Sequence, residues 1–454
     1  MAGEDGVMAI QSDRPASSPS LAEASVTFAR IGLLSFGGPA GQIALMHRIL
    51  VEEKKWLDEA RFLHALNYCM LLPGPEAMQL ATYAGWLGHG VRGGLIAGIL
   101  FVLPGALVIT ALSAAYLVAG DVPLVQGLLF GLKAAVLAVV LEALIRVSRR
   151  AIKGPLMALI ALAAFVGIAF LKIPFPLIIV LAATAGAVPH WVGGTGGGRG
   201  IAASPQPASA VPDWARPSAR RFVVTTVTWL AIWFGPLLAI AAVAGGAHVY
   251  AQEAGFFSKM ATVTFGGAYA VLAYVAQQAV EVHGWLRPDE MLTGLGLAET
   301  TPGPLILVLV FVGFLGGARL AGLEPLVGGL GGALVTLWFT FVPCFLWIFA
   351  GAPYVETVRA VRWLARALEA VTAAVVGVIA NLALWFSLHV VFATVGQARF
   401  GPFEWPVPDP ASFDPVAAAI AAAAALALIG LKANMVVVLG LAALAGMAVR
   451  LAAG

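Results

Sequence analysis

From about residue 22 to residue 452 the chain is a succession of apolar stretches, roughly thirteen by the rule that about 20 apolar residues in a helix cross a bilayer. Lipid offers no partner to backbone N–H and C=O groups, so such stretches fold as helices that satisfy their own bonds. Two of them are broken in the middle, by Leu71-Leu72-Pro73-Gly74-Pro75-Glu76 and by Thr300-Thr301-Pro302-Gly303-Pro304-Leu305. Each Pro-Gly-Pro removes two backbone donors and disfavours helical geometry before each proline. A helix entering from Phe62 therefore stops near Leu72, and a second starts at Pro75, since proline suits a first turn. Unpaired backbone at membrane depth is tolerated where it lines a cavity or a site. One such break reads as a kink, whereas its recurrence points to a site.

The segments lie near 22–50, 60–88, 92–119, 123–147, 152–171 and 174–191, then 222–246, 257–280, 290–318, 325–350, 363–392, 414–430 and 433–452. With 61% hydrophobic and 11% charged residues, the chain is an all-α polytopic membrane protein rather than a soluble domain, where about 25% charge is usual. Residues 1–20 are polar and lack a signal-peptide core, so they are expected to be a disordered tail. Residues 193–221, rich in Gly, Pro and Ala and carrying Arg199, Arg216, Arg220 and Arg221, form a linker. The net charge of +3 is scattered, with no basic stripe for nucleic acid. Cys69 and Cys344 both sit in apolar sequence, and no histidine pair has metal-ligand spacing, so neither a disulfide nor a metal site is expected.

The chain repeats itself. An offset of 229 pairs Phe28 with Phe257, Phe36-Gly37-Gly38 with Phe265-Gly266-Gly267, Trp56-Leu57 with Trp285-Leu286, and the two Pro-Gly-Pro runs, without a gap over 48 residues. Further on, an offset of 239 pairs Leu103-Pro104 with Val342-Pro343. The chain thus divides into a first membrane repeat over 21–192, an extra helix over 222–247 and a second repeat over 257–452, each repeat of about six helices. An even number of crossings followed by one extra helix inverts the second copy. Positive-inside bias agrees. The loop with Arg146, Arg149, Arg150 and Lys153 is basic, whereas its counterpart near 394–414 holds Arg399 against Glu404, Asp409 and Asp414. Conversely, the Asp121 loop is acidic and its counterpart carries Arg359, Arg362 and Arg366. The N-terminus and linker are therefore expected in the cytoplasm and the C-terminus outside.

Inverted repeats with discontinuous helices are an architecture of secondary transporters, whose half-helix N-termini face anionic substrates. Each copy offers two such termini, at Pro75 or Pro304 and at Gly37-Gly38 or Gly266-Gly267. Glycine lets amides approach a ligand, and each helix start carries roughly half a positive charge, so four together suit a small multivalent anion. The Phe-Gly-Gly pairs also serve close helix packing. Lys133, inside an apolar segment, either supplies a fixed cation to the anion path or snorkels to an interface. Glu76 follows the first break and Glu299 precedes the second, so both are candidates for proton coupling, with Glu76 alternatively capping its own helix. Gln79, Thr82, Asn67, Thr300 and Thr301 flank the breaks as hydrogen-bond donors.

Ser35-Phe36-Gly37-Gly38-Pro39, the run from Leu72-Pro73-Gly74-Pro75-Glu76 through Gln79 to Tyr83, and Glu299-Thr300-Thr301-Pro302-Gly303-Pro304-Leu305 resemble the signature stretches of the chromate ion transporters in their long two-domain form, over about Glu23 to Leu451. That resemblance implies a carrier of the bacterial inner membrane that exports chromate, a tetrahedral dianion similar to sulfate, and so confers resistance, without cofactors. It gives functional weight to Phe36, Gly37, Gly38, Pro73, Gly74, Pro75, Glu76, Gln79, Gly266, Gly267, Pro302, Gly303 and Pro304. Phe265 and Thr301 complete the expected binding set. The second copy departs from the first, with Ala268 for the proline of Phe-Gly-Gly-Pro and Leu305 for Glu76. The alternatives are a sulfate or other oxyanion carrier, a passive anion channel, and a membrane-embedded chromate reductase, for which no redox motif is present. A homodimer is compatible with the sequence but not required by it.

Overall fold

The computed structural model describes residues 19–192, 214, 216–265, 267–354, 362–401 and 403–453. The expected tail lies outside this set except for its last two residues, as do most of the linker, Gly266 and Arg359. The described chain is almost wholly helical. In the first half run α1 (Leu21–Leu34), α2 (Gly38–His47), α3 (Glu59–Cys69), α4 (Glu76–Ala119), α5 (Pro123–Ala151), α6 (Pro155–Ala169) and α7 (Phe175–Val192). Next comes α8 (Ala219–Ala244), followed by α9 (Val249–Val263), α10 (Ala268–Gln277), α11 (Pro288–Glu299), α12 (Val308–Leu320), α13 (Pro325–Gly351), α14 (Arg362–Val391), α15 (Pro415–Ala425) and α16 (Met435–Ala453). Among the described residues, six helices are long and apolar enough to cross a membrane, and four shorter apolar helices accompany them. This is an all-α membrane protein.

Helix starts follow the caps that the sequence supplies. Ser20, Asp58, Ser218 and Glu324 each accept a backbone N–H of the following first turn, and Pro123, Pro155, Pro325 and Pro415 open helices where a missing donor is harmless.

Four of the expected long segments are not single helices crossing in one direction. Each folds back at its Gly-containing break. In 22–50, Lys54 pairs with Glu23 at 2.8 Å and Arg30 with Glu53 at 3.6 Å, so the far end of α2 returns to the start of α1. In 257–280, Phe256 on α9 packs on Trp285 just past α10, with ring centroids 5.5 Å apart. In 290–318, Glu290 at the start of α11 meets Arg319 at the end of α12 at 2.6 Å. In 60–88, Tyr68 and Tyr83 face each other across the break. The cause is local: positive φ at Gly37, Gly74, Gly267 and Gly303, with prolines close by at all but Gly267, reverses the chain instead of merely bending it. The long α4 has its own reversal at His89 and Gly90, where φ/ψ leave the helical region, and there Gly85 and Gly93 lie so close that no Cβ fits.

Backbone details recur at the offset of 229. Trp56 and Leu57 N–H both donate to Leu50 O, and Trp285 and Leu286 N–H to Ala279 O. A π-helical turn ends α2 at Arg48–Glu53 and another ends α10 at Gln278–Val282. Later the spacing widens. Ile173 N–H donates to Gly167 O and Ala433 N–H to Ala427 O, with Lys172 and Lys432 both at φ 53°. The added length holds a feature the sequence reading passed over as loop, an antiparallel hairpin of β1 (Val395–Phe400) and β2 (Phe403–Pro408) that pairs Val395 with Pro408 and Phe400 with Phe403. Along β2 exposed Phe403, Trp405 and Val407 alternate with less exposed Glu404, Pro406 and Pro408, as a two-sided ribbon requires.

The core centres on α12, buried from Val308 to Ala318, together with α13 and the α4–α5 pair. α8 lies along its margin: Trp233 is its one buried residue among those described, and Val227, Leu238 and Val243 are exposed. Packing is by close approach of small residues, as apolar surfaces in lipid need. A Cβ at Gly131 would sit 1.8 Å from Ala442 O, and one at Gly313 2.0 Å from Thr336 Oγ1.

Candidate functional site

The tips of the four hairpins meet. Gly74 N–H, in the first Pro-Gly-Pro, donates to Thr264 O beside the second Phe-Gly-Gly at 2.8 Å, and Gly303 N–H donates to Ser35 O at the same distance. These two bonds are each other's image under the offset of 229. They satisfy one donor and one acceptor that each break had released, and so they lock the two halves tip to tip. Both glycines need their place: φ is +115° at Gly74 and +91° at Gly303, where an L side chain is strained. A Cβ would lie 2.9 Å from Gln79 Nε2 at Gly74 and 3.0 Å from Leu307 Cδ1 at Gly303.

Between the tips is a small pocket. Its walls come from the first residues of four helical stretches: Pro39 and Gln42 of α2, Pro75, Glu76 and Ala77 at the start of α4, Ala268 of α10, and Pro304, Leu305 and Ile306 leading into α12, with Thr264 closing the set. Each helix start presents backbone amides that the helix itself leaves unpaired. Four such ends sum to about two positive charges. Among the described residues Glu76 is the one ionisable side chain in the wall, and it reaches toward Gly267, whose Cβ position lies 4.0 Å from Glu76 Oε1.

The expected site residues fall in different places. Pro75 and Pro304 line the pocket, and Gly37, Gly38, Pro73, Gly74, Gly267, Pro302 and Gly303 build the turns that shape it. Phe36 is exposed and Phe265 half-buried, each flanking a tip without lining the pocket. Gln79 is buried, and its Nε2 donates to Pro73 O at 2.7 Å, so it braces the break. Thr301 is buried with its hydroxyl given to Ala298 O, so that donor is spent within its own helix. Glu299, buried at the end of α11, accepts a 2.5 Å hydrogen bond from Tyr269 in the first turn of α10, the residue next to pocket-lining Ala268.

Lys133 is elsewhere. Its Nζ pairs with Asp289 Oδ2 at 3.0 Å at the start of α11, among Arg287, Glu290 and Tyr116, rather than facing the tips or Glu76. The long, flexible stem carries the ammonium to the polar edge of the bundle, as snorkelling predicts. Arg146 pairs with Glu142 one turn earlier at 2.6 Å, as the i,i+4 spacing implies.

Sequence reasoning missed Gln42. It is 1% exposed, and its Nε2 donates to Gly303 O at 2.6 Å, so a first-half side chain holds the second-half tip. The available signal was a lone amide in an apolar stretch, paired by the offset with Val271. Tyr269 was missed as well, and its only signal was its place opposite Ala40.

Comparison with known proteins gives these features a context. The family model described as "Chromate transporter" matches residues 22–187 and 251–447. The chain is 30% identical over 393 residues to the chromate transport protein of Pseudomonas aeruginosa, covering 82% of this chain and 83% of that protein. It is 28% identical over 357 residues to the chromate transport protein of Cupriavidus metallidurans, covering 78% and 79%. It is also 32% identical to the uncharacterised transporter YwrB of Bacillus subtilis over 156 residues, which are 34% of this chain and 79% of that protein. No solved structure matches. With both matched regions falling on hairpins that share one set of tips, the chain belongs to the chromate transporter family, a family of membrane transport proteins rather than enzymes.

Proposed function

We propose that this protein is a secondary transporter that exports chromate across the bacterial inner membrane by alternating access. The observation that carries the reading is the convergence of four helix starts on one pocket, which offers about two positive charges to a dianion without a fixed cationic side chain. A site made of amides binds a tetrahedral oxyanion and releases it more readily than an arginine clamp would.

The two halves are read as inverted copies. In each, two hairpins supply the tips and four further helices follow: the later part of α4 with α5, α6 and α7, and α13 with α14, α15 and α16. Four is even, and α8, which has no counterpart, turns the second copy over. Relatives of about half length, such as YwrB, support a single copy as the ancestral unit. In this orientation the N-terminus is cytoplasmic and the C-terminus periplasmic, and the two sets of hairpins enter the membrane from opposite faces.

Glu76 and Glu299 are the proton-exchanging groups of this scheme. An ionised Glu76 in the pocket wall would offset about half of the helix-start charge, so protonation there and anion binding favour each other. Glu299, through Tyr269, lies one residue from the same wall. With one proton carried per dianion, one negative charge remains, and the membrane potential, worth about 2.3 kcal/mol per charge at 100 mV, drives it outward.

The test is uptake of radiolabelled chromate into proteoliposomes, with a potential and a pH gradient imposed separately and with sulfate as competitor. Saturable, potential-driven accumulation is the expected result. Equilibration without accumulation would identify a channel, and sulfate accumulation with weak chromate competition would assign another oxyanion.

A further inference from the structure

Away from the tips the structure holds a second acidic group with no role in the pocket. Glu253, in the second turn of α9, has 0% exposure, and neither of its carboxyl oxygens has a hydrogen-bond partner among the described residues. Its slot is cut from glycine. A Cβ at Gly316 of α12 would lie 2.7 Å from Glu253 Oε1, and one at Gly332 of α13 3.3 Å from Oε2. The indole of Trp285 forms the remaining wall, since its Cγ is 3.1 Å from the same Gly316 position, and its Nε1 is likewise buried and unpartnered.

The charged and titratable groups around the slot are engaged elsewhere. Tyr250, one turn before Glu253, donates to Gly328 O, and His283 stacks on the outer face of Trp285 with centroids 4.3 Å apart. Arg319, one turn past Gly316, is bidentate to Glu290 and also donates to Trp285 O. Glu324 caps α13, and Lys259 of α9 is held by Tyr274. A charge in this slot would forfeit its solvation and gain no counter-ion, whereas a neutral acid loses far less. A metal ion would need several oxygen ligands, and the carbonyls of Gly328 and Gly332 already accept hydroxyls.

We propose that Glu253 is a proton-binding site, separate from the anion pocket, whose proton is exchanged during the transport cycle. The position belongs to the second half alone, as the offset of 229 places Ala24 opposite it. The mechanical link is short. α9 carries Glu253 at one end and, just past the other, Thr264, whose carbonyl holds Gly74 N–H at the pocket. A proton leaving Glu253 puts a charge into the joint between α9, α12 and α13, which favours a conformation that admits water there, and the tip moves with the helix. This role rests on the transport reading above; the proton site itself does not.

The experiment uses the full chain in liposomes. The infrared difference between the wild type and Glu253→Gln should contain the carbonyl stretch of a protonated carboxylic acid at neutral pH, and Glu253→Asp should retain it. In the same vesicles, the response of chromate accumulation to an imposed pH gradient should fall in Glu253→Gln by one proton's share, about tenfold per pH unit. Absence of the acid band overturns the proposal. So does an unchanged gradient response, or a Glu253→Gln that fails to fold while Glu253→Asp folds without the band. If the wild type moves no chromate at all, the transport reading falls, while the infrared band still decides whether Glu253 holds a proton.

Discussion

A glycine at positive φ in a pocket tip tolerates little. Gly74→Ala and Gly303→Ala each add strain of roughly 1–3 kcal/mol at the turn and push a methyl toward Gln79 or Leu307. Both variants are expected in the membrane at near wild-type amounts with transport reduced by tenfold or more, checked by chromate uptake against immunoblot of the membrane fraction. Normal uptake by both would remove the tips from the site. Gln42→Leu should lower apparent affinity, because it frees Gly303 O and unfastens the second tip. The glycines and prolines were legible in the sequence because their constraint is local to the backbone. Gln42 was not, because its partner lies 261 residues away and nothing in one chain states that distance.

Helix hairpins have their own weak points, at the joints between them. Glu290, fully buried at its side chain, is held by Arg319 and receives Tyr116 Oη at 3.0 Å, which ties α11 to α12 and to α4. Removing Arg319 takes the bidentate partner from a buried carboxylate and leaves it to Tyr116 and the more exposed Arg287, so Arg319→Ala should cost on the order of 2 kcal/mol, with Arg319→Lys recovering only part because it cannot make the bidentate pair. Thermal unfolding in detergent reads this directly. A milder joint lies where α2 meets α3: His47, the last residue of α2, contacts Glu59 at the start of α3 at 2.6 Å and Glu52 of the π turn between them at 3.1 Å. The Glu59 hydrogen bond holds the His47 pKa above its ordinary value against some desolvation, and Glu52 adds to the effect. A raised folded-state pKa contributes stability below the unfolded value, and that contribution is lost as pH rises through the raised one. The melting temperature should therefore fall across that window in the wild type and flatten there in His47→Gln. The apolar spacing showed most of the helical stretches, though not the first half of α9 before residue 257, and it did not show that four segments double back, because periodicity reports which residues share a face and not which way the chain leaves a turn.

At the scale of the molecule, the two halves are bound by Lys133–Asp289 and Tyr116–Glu290 at one edge and by the reciprocal tip bonds in the middle. Neither half is complete alone. Residues 1–213 and 214–454 expressed from separate genes should restore chromate resistance when made together and give none apart, a result scored by growth on chromate. Reporter fusions at the two ends should place the N-terminus inside and the C-terminus outside; both on one side would break the inverted arrangement. The repeat was readable because its first 48 residues are unbroken, and its later part was blurred by the β1–β2 insertion, which shifts the spacing without altering the helices around it.

The crossed bonds at the tips also bear on how such a chain is made. Ser35 and Gly74 are made early, yet the amide and carbonyl that satisfy them belong to Gly303 and Thr264. Until synthesis has passed Gly303, the first half carries open polar ends with nothing in lipid to meet them. Biogenesis of this protein therefore needs a place for an unfinished half to wait, such as the insertion machinery or a shielding partner, and a ribosome stalled before that point should leave a product that is degraded rather than stored.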